Sequence, residues 1–138
     1  MDSSGTDVPQ HSLRVLVADD NADAAASLSM ILKMGGHDVR TVFDGVEALE
    51  LVESFHPNVA LLDIGMPHID GYELCRRLRA LPYGRDMLIV ALTGWGQAED
   101  KRRSEEAGFD QHLVKPADIR ALEHLLAEAD KNKPRSPP

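Results

Sequence analysis

Short apolar runs alternate with helical periodicity along most of this chain. Leu13-Arg14-Val15-Leu16-Val17-Ala18 is rich in Val and Leu and breaks off at acidic residues, which predicts a strand. From residue 23 to 34, Ala25, Leu28, Ile31 and Leu32 recur at helical spacing until Gly35-Gly36 stops the pattern. Residues 39–43 predict a second strand, and residues 46–54 a helix with Val46, Leu49 and Val52 on one side. Val59-Ala60-Leu61-Leu62 is continuously apolar, as suits a central strand covered on both faces. A loop with Pro and Gly, Met66-Pro67-His68-Ile69-Asp70-Gly71, leads into a helix over 72–80 whose inner side carries Leu74, Leu78 and Leu81. Met87-Leu88-Ile89-Val90-Ala91-Leu92 predicts the fourth strand. A charged helix over 97–107 ended by Gly108, a short strand over 110–114 and an amphipathic helix over 117–129 complete the pattern.

Five strand–helix units with short connections predict an α/β fold with a parallel sheet. Right-handed crossovers make it doubly wound, with helices on both faces. Ligands in such sheets sit outside the carboxyl ends of the strands. Residues 1–12 and 131–138 are rich in Ser, Gly, Pro and charge, so flexible segments are expected on either side of one domain over residues 13–130.

Composition narrows the function. Hydrophobic residues make up 43% of the 138, enough for a real core. The 23 Asp and Glu against 15 Lys and Arg give a net charge of −8, so no basic footprint for nucleic acid is present and direct nucleic-acid binding is disfavoured. The single cysteine, Cys75, excludes an internal disulfide and a paired-cysteine metal site; within Glu73-Leu74-Cys75-Arg76-Arg77 it reads as a plain helix residue. Residues 1–11 have no apolar core for a signal peptide, and no run approaches the ~18 apolar residues of a membrane span. A soluble cytoplasmic protein without a membrane partner is expected.

The candidate chemistry lies at the strand ends. Asp19 and Asp20 follow the first strand, Asp63 the third, Thr93 the fourth and Lys115 the fifth. Three neighbouring carboxylates repel one another unless a cation joins them. Mg2+ suits oxygen donors of this kind and is held by carboxylates together with phosphate oxygens. Lys115 can hold a phosphate oxygen as a point charge and the Thr93 hydroxyl can donate to another. Carboxylate, magnesium, ammonium and hydroxyl together describe a site for an aspartyl phosphate.

Val15-Leu16-Val17-Ala18-Asp19-Asp20-Asn21, then Leu61-Leu62-Asp63-Ile64-Gly65-Met66-Pro67 with Asp70-Gly71, then Ala91-Leu92-Thr93-Gly94 and His112-Leu113-Val114-Lys115-Pro116 resemble the receiver domains of bacterial response regulators and hybrid histidine kinases. The last two motifs look more like the hybrid-kinase receivers. The resemblance covers residues 13–130 and implies a flavodoxin-like sheet of strand order 2-1-3-4-5. It implies Asp63 as phosphoacceptor, Asp20 as a direct magnesium ligand, Asp19 as one acting mostly through water, and the Gly65 carbonyl as a further ligand. Thr93 would bond the phosphoryl group and move towards it, and Lys115 would pair with it, ahead of a cis bond to Pro116. The implied donor is a histidine kinase or histidine phosphotransfer protein. A downstream effector would read a face built from the fourth helix, fifth strand and fifth helix.

Some positions depart from that family or leave alternatives open. The switch position three before the lysine, often Tyr or Phe, is His112, which reads either as a pH-sensitive switch or as a surface histidine. Gly65 has no side chain to act on the phosphoryl group. Trp95 reads either as an exposed loop aromatic or as a shield over the site. Met30 and Met34 read as core residues of the first helix. Lys101-Arg102-Arg103 with Glu105-Glu106 reads as a solvated helix face. His11, His37, His56, His68 and His124 lack ligand spacing. A magnesium phosphatase would need an acid–base carboxylate where Gly65 stands, and a phosphate-blind interaction domain would usually have lost the acidic pair or the lysine. With no room for an effector domain, the chain is expected to be a stand-alone regulator or a receiver from a longer protein.

Overall fold

The computed structural model describes residues 12–94 and 101–132. Five parallel strands, β1 (Arg14–Ala18), β2 (Asp38–Val42), β3 (Val59–Asp63), β4 (Leu88–Thr93) and β5 (Gln111–Val114), form one sheet of order β2-β1-β3-β4-β5. The helices are α1 (Ala22–Met34), α2 (Gly45–Phe55), α3 (Gly71–Arg79), α4 (Lys101–Ala107) and α5 (Ile119–Asn132). The expected strand order holds. Its direction reverses between β1 and β3, and that switch point opens a crevice at their carboxyl ends. Among the described residues no helix is long and apolar enough to cross a membrane.

Every residue of β3 is buried, which accounts for its unbroken apolar sequence. Alternate strand residues feed two cores. Leu16, Ala60, Leu62 and Ala91 face α2 and α3, while Val15, Val17, Leu61 and Leu92 face α1 and α5. Short polar side chains start the helices. Asn21 Oδ1 accepts from the Ala24 N–H of α1 at 3.1 Å and Asp44 Oδ1 from the Glu47 N–H of α2 at 2.8 Å. Glu47 in turn accepts from the N–H of Phe43, the residue before the cap, at 2.8 Å.

Arg79, at the end of α3, donates to the carbonyls of Gly84, Met87 and Gly108 and pairs with Asp110 at 2.6 Å. One guanidinium thus ties α3 to the entrances of β4 and β5.

Two expectations need correction. Met30 and Met34 are 63% and 81% exposed, because α1 turns Ala25, Leu28, Ser29 and Leu32 to the sheet and, among the described residues, nothing covers its far side beside the edge strand β2. Val46 is exposed, since the buried stripe of α2 is Gly45, Ala48, Val52 and Phe55. The charged run of α4 is a solvated face, with Arg102, Arg103, Glu105 and Glu106 all exposed; within it Arg103 also contacts Asp70 and the Tyr72 ring. Cys75 is buried as a core residue, and burial pushes its thiol up to about 12.

Candidate functional site

Asp19 follows β1 and Asp63 ends β3, the two strands flanking the switch point, so both carboxylates stand at the crevice. Asp19 is 1% exposed and Asp63 6%. The backbone fixes both. The Asp19 N–H donates to the Val42 carbonyl at 3.1 Å, and its Oδ1 accepts from the Asn21 N–H at 3.0 Å. Asp63 Oδ1 accepts from the Gly65 N–H at 3.0 Å. Asp20 is exposed and completes the group, one carboxylate oxygen of each lying within 4.8 Å of the others.

Lys115, just after β5, supplies the opposing charge. Its Nζ lies 3.1 Å from Asp19 Oδ2 and 3.7 Å from Asp63 Oδ2. The bond from Lys115 to Pro116 is cis, as expected. One ammonium against three carboxylates leaves the crevice negative. Asp63 reflects this: burial first, then the charge of Asp19, raise its pKa to about 6, with the Gly65 N–H and Lys115 opposing.

Thr93 ends β4, is 3% exposed, and lies one residue beyond Leu92, the neighbour of Asp63 across the sheet. Its Oγ1 donates to the Leu113 carbonyl at a long 3.4 Å. The structure thus places Asp19, Asp20, Asp63, Thr93 and Lys115 along one rim. Gly65 is exposed in the loop after β3, where a Cβ would meet only Asp63 Oδ1, at 3.7 Å. His112 is exposed on β5, level with Ala91. Trp95 lies outside the described residues.

Two residues escaped the sequence reading. Asn21 closes the first acidic motif, yet its N–H also orients Asp19 while its side chain caps α1; an Asn followed by a helical run is the usual sign of such a cap. Asp70 caps α3 through the Glu73 N–H at 2.9 Å and also meets Arg103 of α4, a contact over 33 positions that no local pattern announces.

The donor set tests whether magnesium fits. All three groups offer hard oxygen atoms at separations one ion can bridge, with no sulfur or imidazole among them, which is the ligand chemistry of Mg2+.

The family model of the response regulator receiver domain matches residues 15–127. The response regulator MprA of Mycobacterium ulcerans is 41% identical over 116 residues, 84% of this chain and 48% of that protein. The chain therefore spans about half the length of the curated relatives it matches. The signal receiver domain of a signal transduction histidine kinase from Syntrophus aciditrophicus has a TM-score of 0.81 at 28% identity, covering 91% of this chain and 96% of that one. The receiver domain of the sensor histidine kinase PA1611 from Pseudomonas aeruginosa PAO1, with a magnesium ion coordinated in its active site cleft, has a TM-score of 0.78 at 28% identity, covering 87% and 98%. With its sheet order, acidic crevice and opposing lysine all in place, the chain belongs to the response regulator receiver domain family.

Proposed function

We propose that Asp63 is the phosphoacceptor of a two-component phosphorelay, taking a phosphoryl group from a phosphohistidine on a histidine kinase or histidine phosphotransfer protein. The observation that carries this is the convergence of two further carboxylates and one ammonium on a buried strand-end aspartate. A carboxylate oxygen of Asp63 forms the new bond to phosphorus, and the phosphorus–nitrogen bond of the donor breaks. Asp19, Asp20, Asp63 and the Gly65 carbonyl would hold Mg2+, which neutralises charge on the phosphoryl oxygens.

The chain's own residues do the rest. The Gly65 N–H holds Asp63 Oδ1 in place. Lys115 already spans Asp19 and Asp63, so a phosphoryl group on Asp63 arrives within its reach. The long bond of Thr93 to the Leu113 carbonyl is easily exchanged for one to the phosphoryl group, which would pull Thr93 inward and reshape the α4–β5–α5 face. His112 stands exposed on β5 as that face's candidate switch residue. A groove of about 320 Å³ runs from Asp19 and Lys115 along α1, with Leu28, Ile31 and Ala117 as its apolar part, and offers the donor a seat beside the site.

Residues 13–130 form the working unit, which acts in the cytoplasm, signals to an effector protein and does not turn over an external substrate. Incubation with acetyl phosphate and Mg2+ tests the reading. One phosphoryl group per chain is expected, abolished by a chelator and by Asp63→Asn. Continuous release of phosphate over many turnovers would instead mark a hydrolase. No incorporation while magnesium binds would mark a phosphate-blind interaction domain.

A further inference from the structure

One side chain joins α4 to the loop that follows Asp63. Arg103 Nη2 lies 3.5 Å from Asp70 Oδ2, and its guanidinium carbon sits 4.1 Å from the centroid of the Tyr72 ring. Asp70 is the last residue before α3 and spends its other oxygen on the Glu73 N–H as the cap. Tyr72 is buried, with its ring edge-on to Phe109 at 6.1 Å. The Arg103–Asp70 pair is exposed and long, so it contributes little by itself; the stacking of the guanidinium on a buried ring is what gives the contact a defined geometry.

The loop between Asp63 and Asp70 has little slack. Its start is held by the Gly65 N–H on Asp63 Oδ1, and its ends are drawn together by the Gly71 N–H donating to the Ile64 carbonyl at 3.3 Å. A Cβ at Gly71 would fall 2.5 Å from Ile64 Cα and 2.7 Å from the Asp63 carbonyl oxygen, so the chain returns directly onto the phosphoacceptor strand. At the neighbouring wall, a Cβ on Gly45 would lie 2.8 Å from Ile69 Cβ. A segment pinned in this way transmits a displacement at Asp63 or Gly65 to Asp70 rather than absorbing it.

We infer that Arg103 is a positioning residue that couples occupancy of the Asp63 pocket to the placement of α4. The inference rests on Asp63 being the phosphoacceptor. When the loop after Asp63 shifts to admit a phosphoryl group, Asp70 and the first turn of α3 shift with it, and Arg103 carries α4 along. Coupling of this kind is reciprocal: occupancy has to carry α4 along, so cutting the latch removes that cost and binding at Asp63 should not weaken.

The test is an NMR titration of the isotope-labelled chain with beryllofluoride and Mg2+. Amides of residues 63–65 report binding and amides of residues 101–107 report α4. Both sets are expected to shift in the wild type. In Arg103→Leu the first set should still shift, with affinity at least that of wild type, while the response of α4 falls by more than about half. Asp70→Asn keeps a good helix cap but removes the charge, and should reproduce the loss. Arg102→Leu, an exposed neighbour on the same helix, should behave as wild type. An α4 response in Arg103→Leu and Asp70→Asn equal to that of wild type would overturn the latch. No response at residues 63–65 in the wild type would remove the phosphoacceptor reading, and the latch with it.

Discussion

Replacing Asp63 by asparagine should stabilise the magnesium-free protein at neutral pH, although it removes the central residue of the site. In the folded chain burial and the neighbouring carboxylates raise the Asp63 pKa from 3.8 to about 6. The folded state therefore binds a proton more tightly than the unfolded chain does. The contribution of Asp63 to stability is fully present below pH 3.8 and is lost as pH rises through about 6. A shift of about two units corresponds to roughly 3 kcal/mol at 1.36 kcal/mol per unit. Asp20 and Gly65 beside it are open to water, so screening brings the expected cost to about 1–2 kcal/mol. Asparagine avoids that cost and still accepts from the Gly65 N–H. Urea unfolding in a chelator should show Asp63→Asn more stable than wild type by about 1–2 kcal/mol at pH 7.5, a midpoint shift of about 0.5–1 M. At pH 4.5 the difference should shrink to about a third of that, and it should vanish only below pH 3.8. Magnesium at ten times its Kd should return about 1.4 kcal/mol to the wild type and little to the variant. A variant less stable than wild type at pH 7.5, or a gap unchanged between the two pH values, would refute the reasoning.

Other substitutions probe the same frame. Lys115→Met strips the counter-charge from Asp19, whose side chain is 2% exposed; it should cost about 1–3 kcal/mol in urea unfolding without metal, with magnesium recovering part of the loss. Gly71→Ala drives a Cβ into the backbone at Ile64 and should cost about 2–3 kcal/mol by the same assay, while slowing labelling by acetyl phosphate. Cys75, buried and with its thiol raised to about 12, should resist a thiol reagent at pH 8 in the native state and react once urea unfolds the chain.

Much of this architecture is written locally. The unbroken apolar run of β3 and the acidic residue closing it follow from a strand buried on both faces that delivers one side chain to the rim. The capping role of Asp44 is equally local, because its partner Glu47 is three residues away. Met30 and Met34 read as core residues but are exposed, because helical periodicity marks apolar positions without saying which stripe meets the sheet. The stripe at Ala25, Leu28, Ser29 and Leu32 includes a serine, and the methionines fall outside it. Val46 failed for the same reason, Gly45 and Ala48 being the small residues that let α2 approach the sheet. The Asp70–Arg103–Tyr72 contact and the Arg79 clamp depend on chain segments brought together only by the completed fold, so sequence spacing carries no trace of them.

The most direct measurement is chemical location of the phosphoryl group. The chain is incubated with acetyl phosphate and Mg2+, the acyl phosphate is reduced with borohydride, and the peptides are sequenced by mass spectrometry. Reduction confined to Asp63 and dependent on magnesium is the expected result. Modification at another residue, or none in a folded chain that binds magnesium, would contradict the assignment.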